Sequence, residues 1–410
     1  MTAAPATHAV PVRAAWVVIA AGICAALHIG KLPPALPVLQ AELGITLLQA
    51  GFLLSVVQVA GMVGGIAMGL ASDVIGLRRS MACGLVVLGL ASVAGAWAEG
   101  AALLLGLRVV EGFGFLLVTL PAPGLVRRLV PPKRLEAMLG VWGAYMPSAT
   151  TLALLLGPLV VSVAGWRAWW VGLGWLSLGM AAWLWRAVPP PPAAVRAMPR
   201  LAVSLRLRRT LGASGPWLVA LCFAMYAGQW LAVVGFLPSI YVQAGISPAI
   251  TGVLTALVAL VNMAGNVAAG RLLQRGVAAQ RLLRTGYAAM GLAAVVAFAQ
   301  VAGHEAPAAL RYLAVLAFSM VGGIIPGTLM ALAVRLAPDE HTISTTVGWM
   351  QQFSALGQFC VPPAVAWLAG RAQGWQWTWL VTIACSLAGL WLAARVGQLL
   401  TRRGPASGSH

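Results

Sequence analysis

Long apolar runs separated by short polar breaks dominate the chain. They fall near 14–38, 47–71, 79–98, 101–126, 137–162 and 167–186, then resume near 215–242, 249–271, 282–302, 309–334, 343–369 and 375–396. A helix needs about 20 mainly apolar residues to cross the hydrocarbon core of a bilayer. The pattern therefore predicts an all-α integral membrane protein with twelve transmembrane helices. The central break holds Pro189-Pro190-Pro191-Pro192, then Arg196, Arg200, Arg206, Arg208 and Arg209. Four consecutive prolines cannot continue a helix, and the basic stretch after them suits the inner leaflet. The expected division is a six-helix bundle over 1–186, a cytosolic Pro/Arg-rich linker over 187–213, a second six-helix bundle over 214–397 and a cytosolic tail over 398–410. The first run continues past Gly30 without a cleavage pattern, so it is expected to be a span and not a cleaved signal.

Composition agrees with the pattern. Of 410 residues 61% are hydrophobic and 8% charged, and the mean hydropathy is +0.91. Soluble domains carry about 25% charged residues, so this chain has too few charges to cover a surface in water. A net charge of +18 raises the possibility of a nucleic-acid partner, but the basic residues form no stripe and sit in clusters between apolar runs. With the N-terminus inside, 21 of the 26 Lys and Arg residues fall on the cytoplasmic side and 3 (Arg167, Arg311, Arg371) outside. This asymmetry predicts a multi-pass protein of a bacterial-type inner membrane with both termini cytoplasmic. Trp166, Trp169, Trp170, Trp375, Trp377 and Trp379 sit at expected outer boundaries, as an aromatic belt would. Cys24, Cys83, Cys222, Cys360 and Cys385 lie in apolar runs without a paired or zinc-ligand spacing, and read as small core residues.

The halves are related. A shift of 201 residues places Gly51, Leu53, Val57, Met62, Gly64, Ala67 and Gly69 on Gly252, Leu254, Val258, Met263, Gly265, Ala268 and Gly270, without a gap. With small slips, Arg128-Leu129 echoes Arg335-Leu336 and Gly165-Trp166 echoes Gly374-Trp375. Two parallel six-helix repeats suggest bundles that rock around a site near the bilayer midplane.

Ionisable groups inside a bilayer are costly, and each is a candidate for function. His28 and Lys31 lie in the first run, and Arg108 and Glu111 in the fourth. Each pair is three residues apart and so shares a helix face. The first helix runs outward and the fourth inward, which puts Lys31 and Arg108 at similar depth in the outer half of the membrane. Two cations, one acid and one histidine would attract an anion, with Arg108 offering a two-point fork and Lys31 a point charge. An anion taking Arg108 from Glu111 would leave the acid to bind a proton. The bland readings are that Lys31 snorkels to headgroups, that Arg108–Glu111 is a static pair, and that His28 is a neutral core histidine. Cys24 and His28, four apart, could hold a soft metal, but no further ligand completes such a site. At the 201 shift Gln229 replaces His28 and Ala232 replaces Lys31. Tyr226, Gln229, Trp230 and Val233 form one face of the seventh helix, and Gln229 and Trp230 are the expected substrate contacts there. Asn262, Asn266, Gln351, Gln352 and Gln358 read as amides that bond neighbouring helices. Pro326 after Gly322-Gly323 is expected to let the tenth helix bend.

Residues 69–79 read Gly-Leu-Ala-Ser-Asp-Val-Ile-Gly-Leu-Arg-Arg. This resembles the loop 2–3 signature of the major facilitator superfamily, G-x-L-x-D-R-x-G-R-R. Gly69, Asp73, Gly76, Arg78 and Arg79 match, whereas Ala71, Val74 and Leu77 depart. The resemblance covers the whole chain and implies the major facilitator fold, with helices 1, 4, 7 and 10 lining a central cavity. It also implies a cytoplasmic gate in which Asp73 meets Arg127 or Arg128; Gln274 replaces the acid in the second half. Arg108-x-x-x-Gly112-x-Gly114 is similar to the superfamily's helix 4 motif, whose arginine is tied to proton transfer. Lys31-Leu32-Pro33-Pro34 with Leu36-Pro37, Gly165-Trp166-Arg167 and Gly323-Ile324-Ile325-Pro326 look like the cyanate/nitroimidazole-permease-like branch. Gly157-Pro158 is similar to the antiporter motif of drug exporters, but Ala153 and Val161 stand where that motif has glycine.

The expectation from all this is a monomeric, proton-coupled secondary carrier of a small anion (an organic carboxylate or a pseudohalide), working by alternating access and more in the import direction. Its partners would be the anion, a proton and the lipid bilayer, with no cofactor, no resident metal and no nucleic acid. A multidrug or nitroimidazole-type proton antiporter is the alternative, and uptake of a metal or metal chelate a minor one. No nucleophile–base pair or phosphate loop points to an enzyme, and no loop is long enough for a soluble signalling domain.

Overall fold

The structure is a computed structural model that describes residues 13–65, 75–131, 134, 138, 141–190, 203–301, 304–339 and 342–402. Among them, eleven helical stretches are long and apolar enough to cross a membrane. They are α1 (Arg13–Leu43), α2 (Leu47–Gly65), α3 (Leu77–Gly95), α4 (Ala101–Leu129), the stretch Tyr145–Ala187, α7 (Ser214–Gln243), α8 (Pro248–Gln274), α9 (Ala279–Phe298), α10 (Ala308–Leu336), α11 (Thr345–Arg371) and α12 (Thr378–Arg402). Tyr145–Ala187 has 43 residues. A straight helix of that size is about 65 Å long, twice a bilayer core. It breaks at Gly165, whose φ of 80° and ψ of 164° suit glycine and no helix. The stretch is therefore two spans, α5 (145–164) and α6 (166–187), and the total is the expected twelve.

Local chemistry sets the breaks. Thr46 starts α2 with a capping box: its Oγ1 accepts from the Gln49 N–H at 3.2 Å, and its own N–H donates to Gln49 Oε1 at 2.9 Å. In α1 the helix is interrupted at Lys31, between Gly30 and Leu32. Pro33 and Pro34 withhold two N–H groups from the ladder there. α10 is interrupted at Gly323, close to Pro326, where a bend was expected. Outside the spans, a two-residue antiparallel ribbon pairs Gln300–Val301 with His304–Glu305 before α10.

The repeats pack alike. α1 lies on α5 and α6, and α3 on α4 and α6. In the second half α7 lies on α11 and α12, and α9 on α10 and α12. The halves meet along α5–α8, α2–α11 and α1–α7. Across α2–α11, Gln58 Nε2 donates to Gln358 Oε1 at 3.1 Å and Gln352 Nε2 to the Met62 carbonyl at 2.7 Å. Within the second half Asn262 Nδ2 donates to the Ser319 carbonyl at 2.8 Å, so these amides do bond helix to helix. Val163, Leu292, Trp175 and Leu387 point outward and are exposed, as lipid-facing residues are.

The expected outer belt needs a correction. Trp166, Trp169 and Trp170 are buried, and their indoles serve the protein interior. Trp166 Nε1 donates to Glu42 Oε2 at 2.8 Å, and Trp169 Nε1 to the Lys31 carbonyl at 3.1 Å. An indole at a span end satisfies its N–H on water or on protein, and here the break in α1 supplies an acceptor.

The linker residues 191–202 lie outside the described set; after them comes a short helix, Val203–Leu211. Arg209 Nη1 pairs with Asp339 Oδ2 at 2.9 Å, and Trp217 Nε1 donates to the Leu211 carbonyl at 2.9 Å. Desolvation would raise the Asp339 carboxyl, but hydrogen bonds from Arg209 and Thr342 outweigh it and hold the group below its ordinary value.

α4 crosses α2 at Gly112, where a Cβ would lie 2.2 Å from the Val57 carbonyl oxygen. That neighbour is backbone and cannot swing away. Gly112→Ala is expected to lower the apparent melting temperature, at an overpacking cost of about 1–3 kcal/mol. Gly106→Ala, on the same helix with nothing within 4 Å of the new Cβ, is expected to be neutral or slightly stabilising. Thermal unfolding of the two purified variants side by side checks the contrast.

Candidate functional site

The four intramembrane ionisable groups come together in one buried cluster in the first half. Side chains of His28 and Lys31 are 0% exposed and those of Arg108 and Glu111 at most 2%. Lys31 Nζ donates to Glu111 Oε1 at 2.5 Å and to Ser92 Oγ at 2.8 Å. Arg108 Nη1 donates to Glu111 Oε2 at 2.7 Å and to the His28 carbonyl at 2.5 Å. Glu111 therefore gives one oxygen to each cation. The His28 carbonyl lies in the last turn before the interruption at Lys31, and there it accepts from Arg108.

The rest of the shell comes from α3 and α6. Ser92 Oγ donates onward to the Trp170 carbonyl at 2.8 Å, and Lys31 Nζ stands 4.6 Å above the Trp170 ring. His28 Nδ1 lies 3.4 Å from Lys31 Nζ, and His28 Nε2 lies 2.7 Å from Ser177 Oγ. With Lys31 donating to Nδ1, the ring carries its hydrogen on Nε2 and donates to Ser177. Cys24 Sγ approaches the same Ser177 Oγ at 3.4 Å. Among the described residues no group of three His, Cys, Asp or Glu gathers to hold a metal. One donor is left over: Arg108 Nη2 is buried without a hydrogen-bond partner.

This geometry corrects the expectation that these charges face a central cavity. Lys31 and Arg108 do converge, but on Glu111 and inside the first bundle, with no exposure to an open cavity. Spacing of three fixes a shared helix face, not the direction of that face. The snorkelling of Lys31 is likewise excluded by its burial. Ser92 and Ser177 were missed, since lone serines in apolar runs carry little signal, and Trp170 reads by its position as a belt residue.

The repeat supplies a signal that could have found Ser177. The echo of Gly165-Trp166 in Gly374-Trp375 sets a shift of 209 for α6, which maps Ser177 onto Ser386. His28 maps onto Gln229, and Ser386 Oγ donates to Gln229 Oε1 at 3.1 Å. The α1–α6 and α7–α12 bonds are thus one contact made twice. The echo of Arg128-Leu129 in Arg335-Leu336 sets a shift of 207 for α4, which maps Gly112 onto Ser319. Gly112 abuts the Val57 carbonyl, and Ser319 Oγ donates at 2.6 Å to the Val258 carbonyl, the image of Val57. In that register Lys31, Arg108 and Glu111 become Ala232, Val315 and Phe318, all buried. The second half builds the same bundle with apolar groups where the first half keeps three charges.

The expected wall on α7 does not form a single surface. Tyr226 bonds Asn262 of α8, with Asn262 Nδ2 donating to its hydroxyl at 2.9 Å. Gln229 is buried against α12, and Trp230 is half-buried and donates to Ser319 Oγ of α10 at 3.1 Å. At the loop 2–3 signature, Gly69 and Asp73 lie outside the described residues, and so does the expected Asp73 contact with Arg127 or Arg128. Gly76 precedes α3 with a φ of 96°. Arg78 Nη2 donates to the Trp185 carbonyl, and its guanidinium stands 4.2 Å above the Trp185 ring. Arg79, Arg127 and Arg128 are exposed.

Twelve apolar spans in two like-packed sets, with the buried charges among the described residues in the interior of one, define a duplicated helical membrane transport protein. The chain belongs to the Major Facilitator Superfamily, whose profile matches residues 18–359. It is 30% identical over 161 residues to an uncharacterized MFS-type transporter of Mycobacterium tuberculosis, across 38% of this chain and 28% of that protein. It is 27% identical over 158 residues to the uncharacterized transporter YebQ of Escherichia coli, across 38% of this chain and 34% of YebQ. The matches therefore span about a third of each relative's length. Two crystal structures of a bacterial homologue of the human lysosomal transporter Spinster share the fold. One is inward-facing and unoccupied (TM-score 0.78, 15% identity, 97% of this chain and 99% of that one). The other is inward-facing and occupied (TM-score 0.79, 14% identity, 96% and 98%).

Proposed function

We propose that this MFS-type transporter is a proton-coupled importer of a small anion, with Glu111 as the proton carrier and Arg108 and Lys31 as the groups that trade it for substrate. One observation carries the reading. Three charges are kept at buried positions whose repeat images, Ala232, Val315 and Phe318, are apolar. Buried ion pairs seldom stabilise a fold more than apolar residues of like volume, so their retention asks for a use beyond packing.

The chemistry follows from the cluster's charge. Two cations and one acid leave a formal net charge of +1, and Arg108 Nη2 has a hydrogen still to give. An anionic group accepting from that nitrogen competes with Glu111 for Arg108 and Lys31. A carboxylate stripped of both cations in a dry interior takes a proton rather than remain charged. Substrate and proton then enter the same step. An exporter of cations would want a buried acid clear of positive charge, and Glu111 is held by two.

In this proposal the bundles 1–186 and 214–397 rock about each other as a monomer, both termini face the cytoplasm of a bacterial-type inner membrane, and the chain sits in the cyanate/nitroimidazole-permease-like branch. The test is a thermal-shift screen of purified protein against small carboxylates, pseudohalides and cationic drugs. A carboxylate or pseudohalide is expected to raise the apparent melting temperature of the parent protein and not of Arg108→Lys, which keeps charge but loses the fork. Stabilisation by cations alone would overturn the anion assignment.

A further inference from the structure

Several unsatisfied polar atoms gather where the helix Val203–Leu211 docks on α11. Arg206 Nε, Thr210 Oγ1, Thr346 Oγ1 and Trp349 Nε1 are buried without hydrogen-bond partners. Thr210 and Thr346 are fully buried residues. Arg206 and Thr210 are one turn apart on the short helix, as Thr346 and Trp349 are on α11. Two contacts tie the strips together: Arg209 to Asp339, and Trp217, which bonds the Leu211 carbonyl while its ring stands 4.9 Å from that of Trp349.

We infer that this seam is a binding site for a phosphate group, supplied by the headgroup of an anionic phospholipid. Two obligate donors (Arg206 Nε and Trp349 Nε1), two hydroxyls (Thr210 and Thr346) and one acceptor, Asp339 Oδ1, stand without partners. A phosphate offers several acceptor oxygens and negative charge together, and can take hydrogen bonds from both obligate donors and both hydroxyls. Arg206, Arg208 and Arg209 against Asp339 leave a formal charge of +2 for an anion to balance. Leu205 and Leu211 are exposed on the same basic helix, and an amphipathic helix of that kind lies in a headgroup layer. This favours a lipid over a dissolved ion. The chemistry is independent of the proposed transport cycle; only the choice of leaflet, the cytoplasmic one, rests on the proposed orientation.

The test follows the melting of full-length protein titrated with phosphatidylglycerol in phosphatidylcholine, phosphatidylcholine alone, and inorganic phosphate against chloride at equal ionic strength. Phosphatidylglycerol is expected to stabilise the protein saturably. Thr346→Val removes one donor at nearly constant volume, Trp349→Phe removes one while keeping an aromatic ring, and each is expected to weaken half-saturation about tenfold. Should one variant fail to fold, the other carries the comparison. Arg208→Gln, an exposed cation, is expected to alter salt dependence alone. Stabilisation by inorganic phosphate as well would keep the site and make dissolved phosphate its occupant too. Equal response to phosphatidylglycerol and phosphatidylcholine with none to phosphate, or unchanged half-saturation in both donor variants, would overturn the site.

Discussion

Glu111→Gln is expected to end uphill accumulation while leaving downhill exchange. The amide keeps the shape of the carboxylate but has a single acceptor oxygen, so it can accept from only one of Lys31 and Arg108, which reach the two carboxylate oxygens at 2.5 and 2.7 Å. It cannot carry a proton. With one proton moved per anion, a gradient of one pH unit supports about tenfold accumulation, and the variant's ratio is expected to fall to unity. Proteoliposomes with an imposed pH gradient, loaded with the anion found by the screen, measure this directly. Continued accumulation in Glu111→Gln would remove Glu111 from the coupling step.

Glu111→Phe alone is expected to be among the most destabilising single changes in the protein. It imports the residue of the second half, Phe318, without its neighbours. Lys31 and Arg108 would then face each other in a dry interior with no acid between them. Removing one member of a buried ionic set costs about 3–5 kcal/mol. Replacing the whole set with apolar residues is often neutral or stabilising by about 1–4 kcal/mol. Lys31→Ala and Arg108→Val, added to Glu111→Phe, complete the interior that Ala232, Val315 and Phe318 already build in the second half. The three changes are therefore expected to be strongly non-additive, as coupled neighbours are.

The membrane architecture was legible in the sequence because length, hydropathy and Pro or Gly breaks act locally. Pro33-Pro34 and Gly165 each end a helix by backbone chemistry that needs no partner. Part of the site was legible for a similar reason. His28 with Lys31, and Arg108 with Glu111, are the buried Lys, Arg, His, Asp or Glu side chains inside spans among the described residues, and spacing put each pair on one face. What spacing does not carry is rotation about the helix axis. The faces turn inward to Ser92, Ser177 and Trp170 of α3 and α6, and that choice depends on packing between helices far apart in the chain. The same reason separates Tyr226, Gln229 and Trp230, which are neighbours on one helix but bond three different ones. Trp166, Trp169 and Trp170 were expected on the outer surface and are buried instead, because sequence position does not fix which way a side chain turns.

That the buried charges serve transport and not the fold is tested most directly by thermal unfolding of Lys31→Ala/Arg108→Val/Glu111→Phe beside Glu111→Phe and the parent protein, with uptake measured on the same preparations. The expected result is a triple variant at least as stable as the parent, far more stable than Glu111→Phe, and unable to accumulate the anion. A triple variant that melts as early as Glu111→Phe would make the charges structural, and one that still accumulates substrate would make them dispensable.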